Sequence, residues 1–183
     1  MRQFNVYSAL VVPIPNEIFE WVAGENEGTV VVSPVPDTTW PLTSSSYTVP
    51  GGGGFPATAN GVAGAEGTFV CDPVAPDVTT QTIVIASQGF ISFCSDVNVN
   101  AGDYFVWENT TSSPIVVAPD PDNPNWWPLE ADEHTVPPNG YLTVLVPEEA
   151  EDGNYPLSVT IEGAGAACPD LANQPVIKVG SGK

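Results

Sequence analysis

Positive charge is almost missing from this chain. Arg2, Lys178 and Lys183 face 22 Asp and Glu residues, and the formal net charge is −19. No fixed cation stands between Gln3 and Ile177. A phosphate backbone is held by Lys and Arg that displace its counterions, so nucleic acid is excluded as a partner. Anionic membrane surfaces are disfavoured for the same reason. With so few cations, ion pairs cannot hold the fold, and apolar burial and backbone ladders must. Long apolar runs are also missing. No stretch approaches the roughly 18 residues of a membrane helix, so no membrane insertion is expected. The stretch YSALVVPIP near the N-terminus is short, broken by Pro13 and Pro15 and followed by acids, unlike a secretory signal. Histidine and methionine occur once each, as His134 and Met1. Cysteine occurs three times, as Cys71, Cys94 and Cys168, with no C-x-x-C spacing. Three buried thiols are favoured over a disulfide, which would need an oxidising exterior.

What is present points to β-structure. Apolar residues make up 42% of the chain, enough for a real core, and many are β-branched or aromatic. The 20 Pro and 17 Gly lie between short apolar runs, which favours strands and tight turns over helices. From about Thr80 the runs QTIVIA, FISFCSDVNV, DYFVWEN, SPIVVA, GYLTVLV, YPLSVTIE and QPVIKV follow one another at the spacing of a β-sandwich. The earlier part reads differently. Strands are expected at Asn5–Val12, Ile18–Ala23 and Thr29–Ser33. The stretch from Ser33 to Ala65 has little periodicity and contains Gly51–Gly54, which reads as an arm or long loop. The expected division is therefore residues 1–76 as a β/arm region with a Gly-rich loop, and 77–183 as a sandwich domain.

The segment Thr80–Val179 resembles a cupredoxin, the plastocyanin-like sandwich. The resemblance rests on Val99, Gly102, Asp103, Val106, Trp107 and Asn109 in a V-x-x-G-D-x-V-x-W-x-N phrase. It continues through the turn of Pro138 and Gly140, and Gly153 with Tyr155 ahead of the last strands. It implies an all-β Greek-key fold. A copper site of that family would need two His, a Cys and a weak axial ligand such as Met. The first His would stand near Pro114–Ile115, where there is none, and Cys168 stands alone after Tyr155. The resemblance therefore implies the framework without copper or electron transfer, and no cofactor is expected.

Few other residues suggest chemistry. His134, in EADEHTVPP, reads as a solvated loop histidine in preference to a general base or pH sensor; acidic neighbours would raise its pKa if close. Asp120, Asp122 and Asn125 offer clustered oxygens as a weak calcium candidate. However, Pro124 falls where a ligand belongs, and a Pro/Asp/Asn turn is the plainer reading. Asn109-Thr110-Thr111 fits the glycosylation sequon, a pattern frequent by chance. Trp126 and Trp127, if extended, point to opposite faces. They and Trp40 and Phe55 are candidates for an interface, where aromatics are enriched. No catalytic residue is singled out.

The expected function is non-enzymatic: a surface or decoration subunit of a larger extracellular assembly such as a virion capsid. It would form a homo-oligomer, with a trimer as the guess, alongside other structural subunits. The alternatives are a cupredoxin-like module binding a glycan or protein through its tryptophans, and a degenerate electron-transfer protein.

Overall fold

The structure is a computed structural model that describes residues 1–122, 127–163, 165–166, 168 and 174–180. No helix occurs among them. The chain divides into two compact units, Met1–Gly89 and Phe90–Lys183.

The first unit contains β1 (Gln3–Asn5), β2 (Leu10–Val11), β3 (Ile18–Val22), β4 (Val30–Pro34), β5 (Tyr47–Val49), β6 (Gly54–Thr58), β7 (Glu66–Asp72) and β8 (Gln81–Val84). They form two sheets, β1-β3-β6 and β2-β8-β7-β4-β5. Alternation decides which side chains enter. In β7, Phe69 and Cys71 are buried while Thr68 and Val70 are not; in β3, Phe19 and Trp21 are buried between less buried neighbours. These residues meet Val30, Val32, Ile83 and Ile85 in one core drawn from both sheets. Such packing is a β-sandwich.

The second unit contains β9 (Phe90–Ile91), β10 (Val97–Val99), β11 (Tyr104–Asn109), β12 (Ile115–Pro119), β13 (His134–Val136), β14 (Gly140–Leu145), β15 (Gly153–Ile161), β16 (Gly165–Ala166) and β17 (Val176–Val179). Its sheets run β9-β11-β14 and β10-β17-β15-β12-β13, with β16 paired to β15. Phe105, Trp107, Val117, Tyr155, Leu157 and Ile177 share its core. The expected all-β sandwich is therefore present, with Greek-key crossings between sheets.

The two units share one topology. β1 and β9 run parallel to β3 and β11; β2 and β10 run parallel to β8 and β17; the remaining equivalent pairs are antiparallel. Registers agree too. Phe4 pairs with Trp21 as Ile91 pairs with Trp107, and Val32 pairs with Cys71 as Val117 pairs with Val159. The sequence repeats at these places: Phe19-Glu20-Trp21 and Phe105-Val106-Trp107; Val31-Val32-Ser33-Pro34 and Val116-Val117-Ala118-Pro119; Trp40-Pro41-Leu42 and Trp127-Pro128-Leu129; Thr48-Val49-Pro50 and Thr135-Val136-Pro137.

This corrects the expected organisation. The division falls after Gly89, not after residue 76, because β8 pairs with β7 and completes the first core. The stretch from Ser33 to Ala65, expected as an arm or long loop, carries β5 and β6. The four glycines lead into β6 and are fixed by backbone bonds: Gly52 N–H donates to the Ala23 and Gly24 carbonyls at 3.1 and 3.0 Å, and Ala23 N–H donates to Gly53 O at 3.1 Å. Periodicity cannot reveal a segment held by main-chain atoms.

Candidate functional site

The polar group most at odds with its surroundings is His134, at the start of the edge strand β13. It pairs with Val117 of β12. Its ring lies 6.0 Å from the Trp107 ring and 6.4 Å from that of Trp127, centroid to centroid. Trp107 is fully buried, meets Phe105 edge-on at 4.9 Å and is stacked on Phe93 at 6.0 Å. His134 Nε2 is buried and has no hydrogen-bond partner among the described residues; Trp107 Nε1 shares that state. Burial holds the His134 pKa below its ordinary value. The expected solvated loop histidine is therefore a strand residue packed against indoles. Its acidic neighbours Glu130, Asp132 and Glu133 are exposed and do not raise its pKa. Tyr47 occupies the equivalent place in the first unit, buried, with its hydroxyl accepting the Ser44 N–H at 3.1 Å.

The other predicted residues are scattered. Asp120 is buried, and its Oδ1 accepts the Asp122 N–H at 3.1 Å, an Asx turn; Asp122 is exposed. Asn125 and Trp126 lie outside the described residues. No group of three or more His, Cys, Asp or Glu able to hold a metal occurs among the described residues. Trp127 and Trp40 are half-buried against their own cores. Each indole N–H donates to a carbonyl four residues on, Trp40 to Ser44 and Trp127 to Ala131, both at 2.7 Å. They close equivalent turns. Phe55 is exposed, though its ring meets Tyr47 at 6.1 Å.

Two features resolve questions that spacing leaves open. Cys94 and Cys168 form a disulfide with Cα atoms 5.5 Å apart, and Cys71 is a buried free thiol. The expectation of three thiols is thus corrected; the two cysteines are remote in sequence but brought together by the second sandwich. Desolvation pushes the Cys71 thiol up to about 11, so it is unreactive at neutral pH. The sequon asparagine, Asn109, is 1% exposed. Its Nδ2 donates to Ser113 O (2.8 Å) and Val136 O (3.1 Å), and its Oδ1 accepts from Thr111 N (2.9 Å) and Thr111 Oγ1 (2.7 Å). Such an amide cannot receive a glycan in the folded protein.

One open cleft of about 370 Å³ lies in the second unit among Tyr104, Glu130, Leu145, Glu148 and Glu149. Another, of about 380 Å³, lies in the first unit among Pro15, Asn16, Asn60 and Val62. Neither gathers a nucleophile and a base.

No family model matches the chain, and no curated protein matches it. Solved structures of similar architecture include a copper-containing nitrite reductase (NirK) from Thermus scotoductus (TM-score 0.34, 13% identity, 93% of this chain, 54% of that one). A blue copper oxidase from Nitrosomonas europaea aligns with TM-score 0.36 and 9% identity over 94% of this chain and 76% of that one. The SGBP-B protein of a Bacteroides ovatus mixed-linkage glucan utilization locus, in complex with a heptasaccharide, aligns with TM-score 0.31 and 11% identity over 95% and 43%. The chain spans about half the length of the Thermus protein. At these identities and TM-scores the alignments assign neither a family nor a site.

Proposed function

We propose that this protein is a non-enzymatic structural subunit of a larger extracellular assembly, built from two cupredoxin-like sandwiches in succession along the chain. One observation carries the reading: what recurs between the units is packing. Phe19 and Trp21 recur as Phe105 and Trp107, Trp40 and Leu42 as Trp127 and Leu129, and the registers recur with them. Carboxylates that hold turns recur with them: Glu17 accepts the Ile14 N–H and Asp103 the Asn100 N–H, each at 2.8 Å. His134 answers to Tyr47, and the disulfide occurs once. Repetition that keeps cores and the contacts that hold turns suits a scaffold. The disulfide supports an oxidising destination. The near absence of cations supports solubility at high local concentration and leaves trypsin-like proteases few bonds to cut. A virion surface is one setting that fits these traits, with the trimer as the proposed homo-oligomer.

Native mass measured by light scattering is the test. The reading predicts a discrete multiple of the 19.2 kDa chain, or incorporation into a larger particle. A monomer at every concentration, joined to no particle in its source, contradicts it.

A further inference from the structure

His134 is the chain's single histidine, and among the described residues its strand is hydrogen-bonded on one side only. β13 is three residues long and pairs with β12 through Ile115–Val136, Val116–Thr135 and Val117–His134. A short edge strand is among the cheaper parts of a sandwich to open. Its inward groups nevertheless help seal the core: Val136 is fully buried, and His134 lies against Trp107 and Trp127.

The surroundings suit a neutral ring and not a cation. An imidazolium has two N–H donors to satisfy, and Nε2 is already buried without a partner. β12 brings no titratable residue within Ile115–Pro119; Asp120 just beyond it holds its own turn. β11 brings Tyr104 and Glu108, on the positions that alternate with the inward Phe105 and Trp107, and Glu108 is exposed. β14 brings Tyr141, which pairs with Glu108. The connection ahead of β13 brings Glu130, Asp132 and Glu133, all exposed. No carboxylate among the described residues is ion-paired with the imidazole.

We propose that the second unit carries a one-proton acid switch, in which protonation of His134 releases the edge strand β13 and the Trp127–Leu129 turn from the core. The first unit has no imidazole at the equivalent place, where the Tyr47 hydroxyl accepts the Ser44 N–H. The sign follows from linkage. The folded-state pKa of His134 lies below its ordinary 6.5. The stability it contributes is therefore present above 6.5 and is lost as pH falls through the lower folded value. Equilibrium for β13 opening shifts about tenfold for each unit by which burial depresses that pKa.

The test uses the lone imidazole as its own reporter, by NMR, with tryptophan emission followed in the same samples. The expected result is an imidazole midpoint below 6.5 and an emission change on the same curve. His134→Tyr, which copies the first unit, and His134→Gln should both abolish the emission change in that range. An imidazole midpoint at or above 6.5 overturns the proposal. So does an emission change that persists in both variants, or one that does not track the imidazole. Should neither variant fold, the wild-type comparison of imidazole and emission still decides.

Discussion

Single residues in this protein are fixed by hydrogen bonds as much as by burial. Asn109 sits at the end of β11 with both ends of its amide occupied, and it ties the turn through Thr111 and Ser113 to β13. Asn109→Ala removes the amide's bonds to the buried Val136 carbonyl and to the part-buried turn, and should cost about 3 kcal/mol in urea unfolding. The same geometry predicts that mass spectrometry of protein secreted from a glycosylating host finds Asn109 bare; a glycan there would show that the turn is open when the chain is modified. Glycines separate into rigid and forgiving sites in the same manner. A Cβ at Gly51 would lie 2.6 Å from the Gly28 carbonyl oxygen, a backbone atom that cannot step aside. At Gly54 the obstacle is the end of the Glu20 side chain, which can swing away. Gly51→Ala should therefore cost about 2 kcal/mol, and Gly54→Ala clearly less, in the same unfolding measurement.

At the scale of elements, the second unit is held by ladders, an aromatic core and one covalent tie. Cys94 follows Phe93, whose ring stacks on Trp107, and the disulfide closes a loop between residues 74 apart in sequence. Loop-closure entropy for that length gives about 4 kcal/mol, a large share of a small domain's stability. Cys94→Ser or Cys168→Ser should lower the unfolding midpoint of the second unit and leave the first unchanged, read by hydrogen exchange of β7 and β15 amides. Equal loss in both units would contradict separate cores. Tyr155, at the start of the same strand β15, donates its hydroxyl to Glu151 O at 2.6 Å and fixes the entry turn. Ion pairs add little at this scale. Arg2 with Glu17 and Lys178 with Asp96 are the two among the described residues, and both lysine and arginine are substantially exposed.

For the whole molecule, the sequence was legible where side chains alternate and illegible where backbone decides. The strands of the second unit stand out because Phe105, Trp107, Leu157 and Val159 recur with period two. The tetraglycine stretch has no side-chain pattern, so its role in the first sandwich is invisible without its hydrogen bonds. The repeat itself was present in the text, in two F-x-W phrases and two W-P-L phrases, but each is short and separated by turns of unequal length. The disulfide partner of Cys94 could not be read from spacing, because topology alone brings Cys168 to it. His134 misled for a similar reason. Its acidic sequence neighbours are exposed, and the rings beside it are those of Trp107 on β11 and Trp127 in the connection ahead of β13. The central claim is that two like sandwiches, not one sandwich and an arm, make up this chain. Residue-resolved hydrogen exchange on the native protein tests it most directly. The account predicts slow exchange in β3, β4, β7 and β8 comparable to that in β11, β12, β15 and β17. Fast, unprotected exchange throughout residues 1–76 would contradict it.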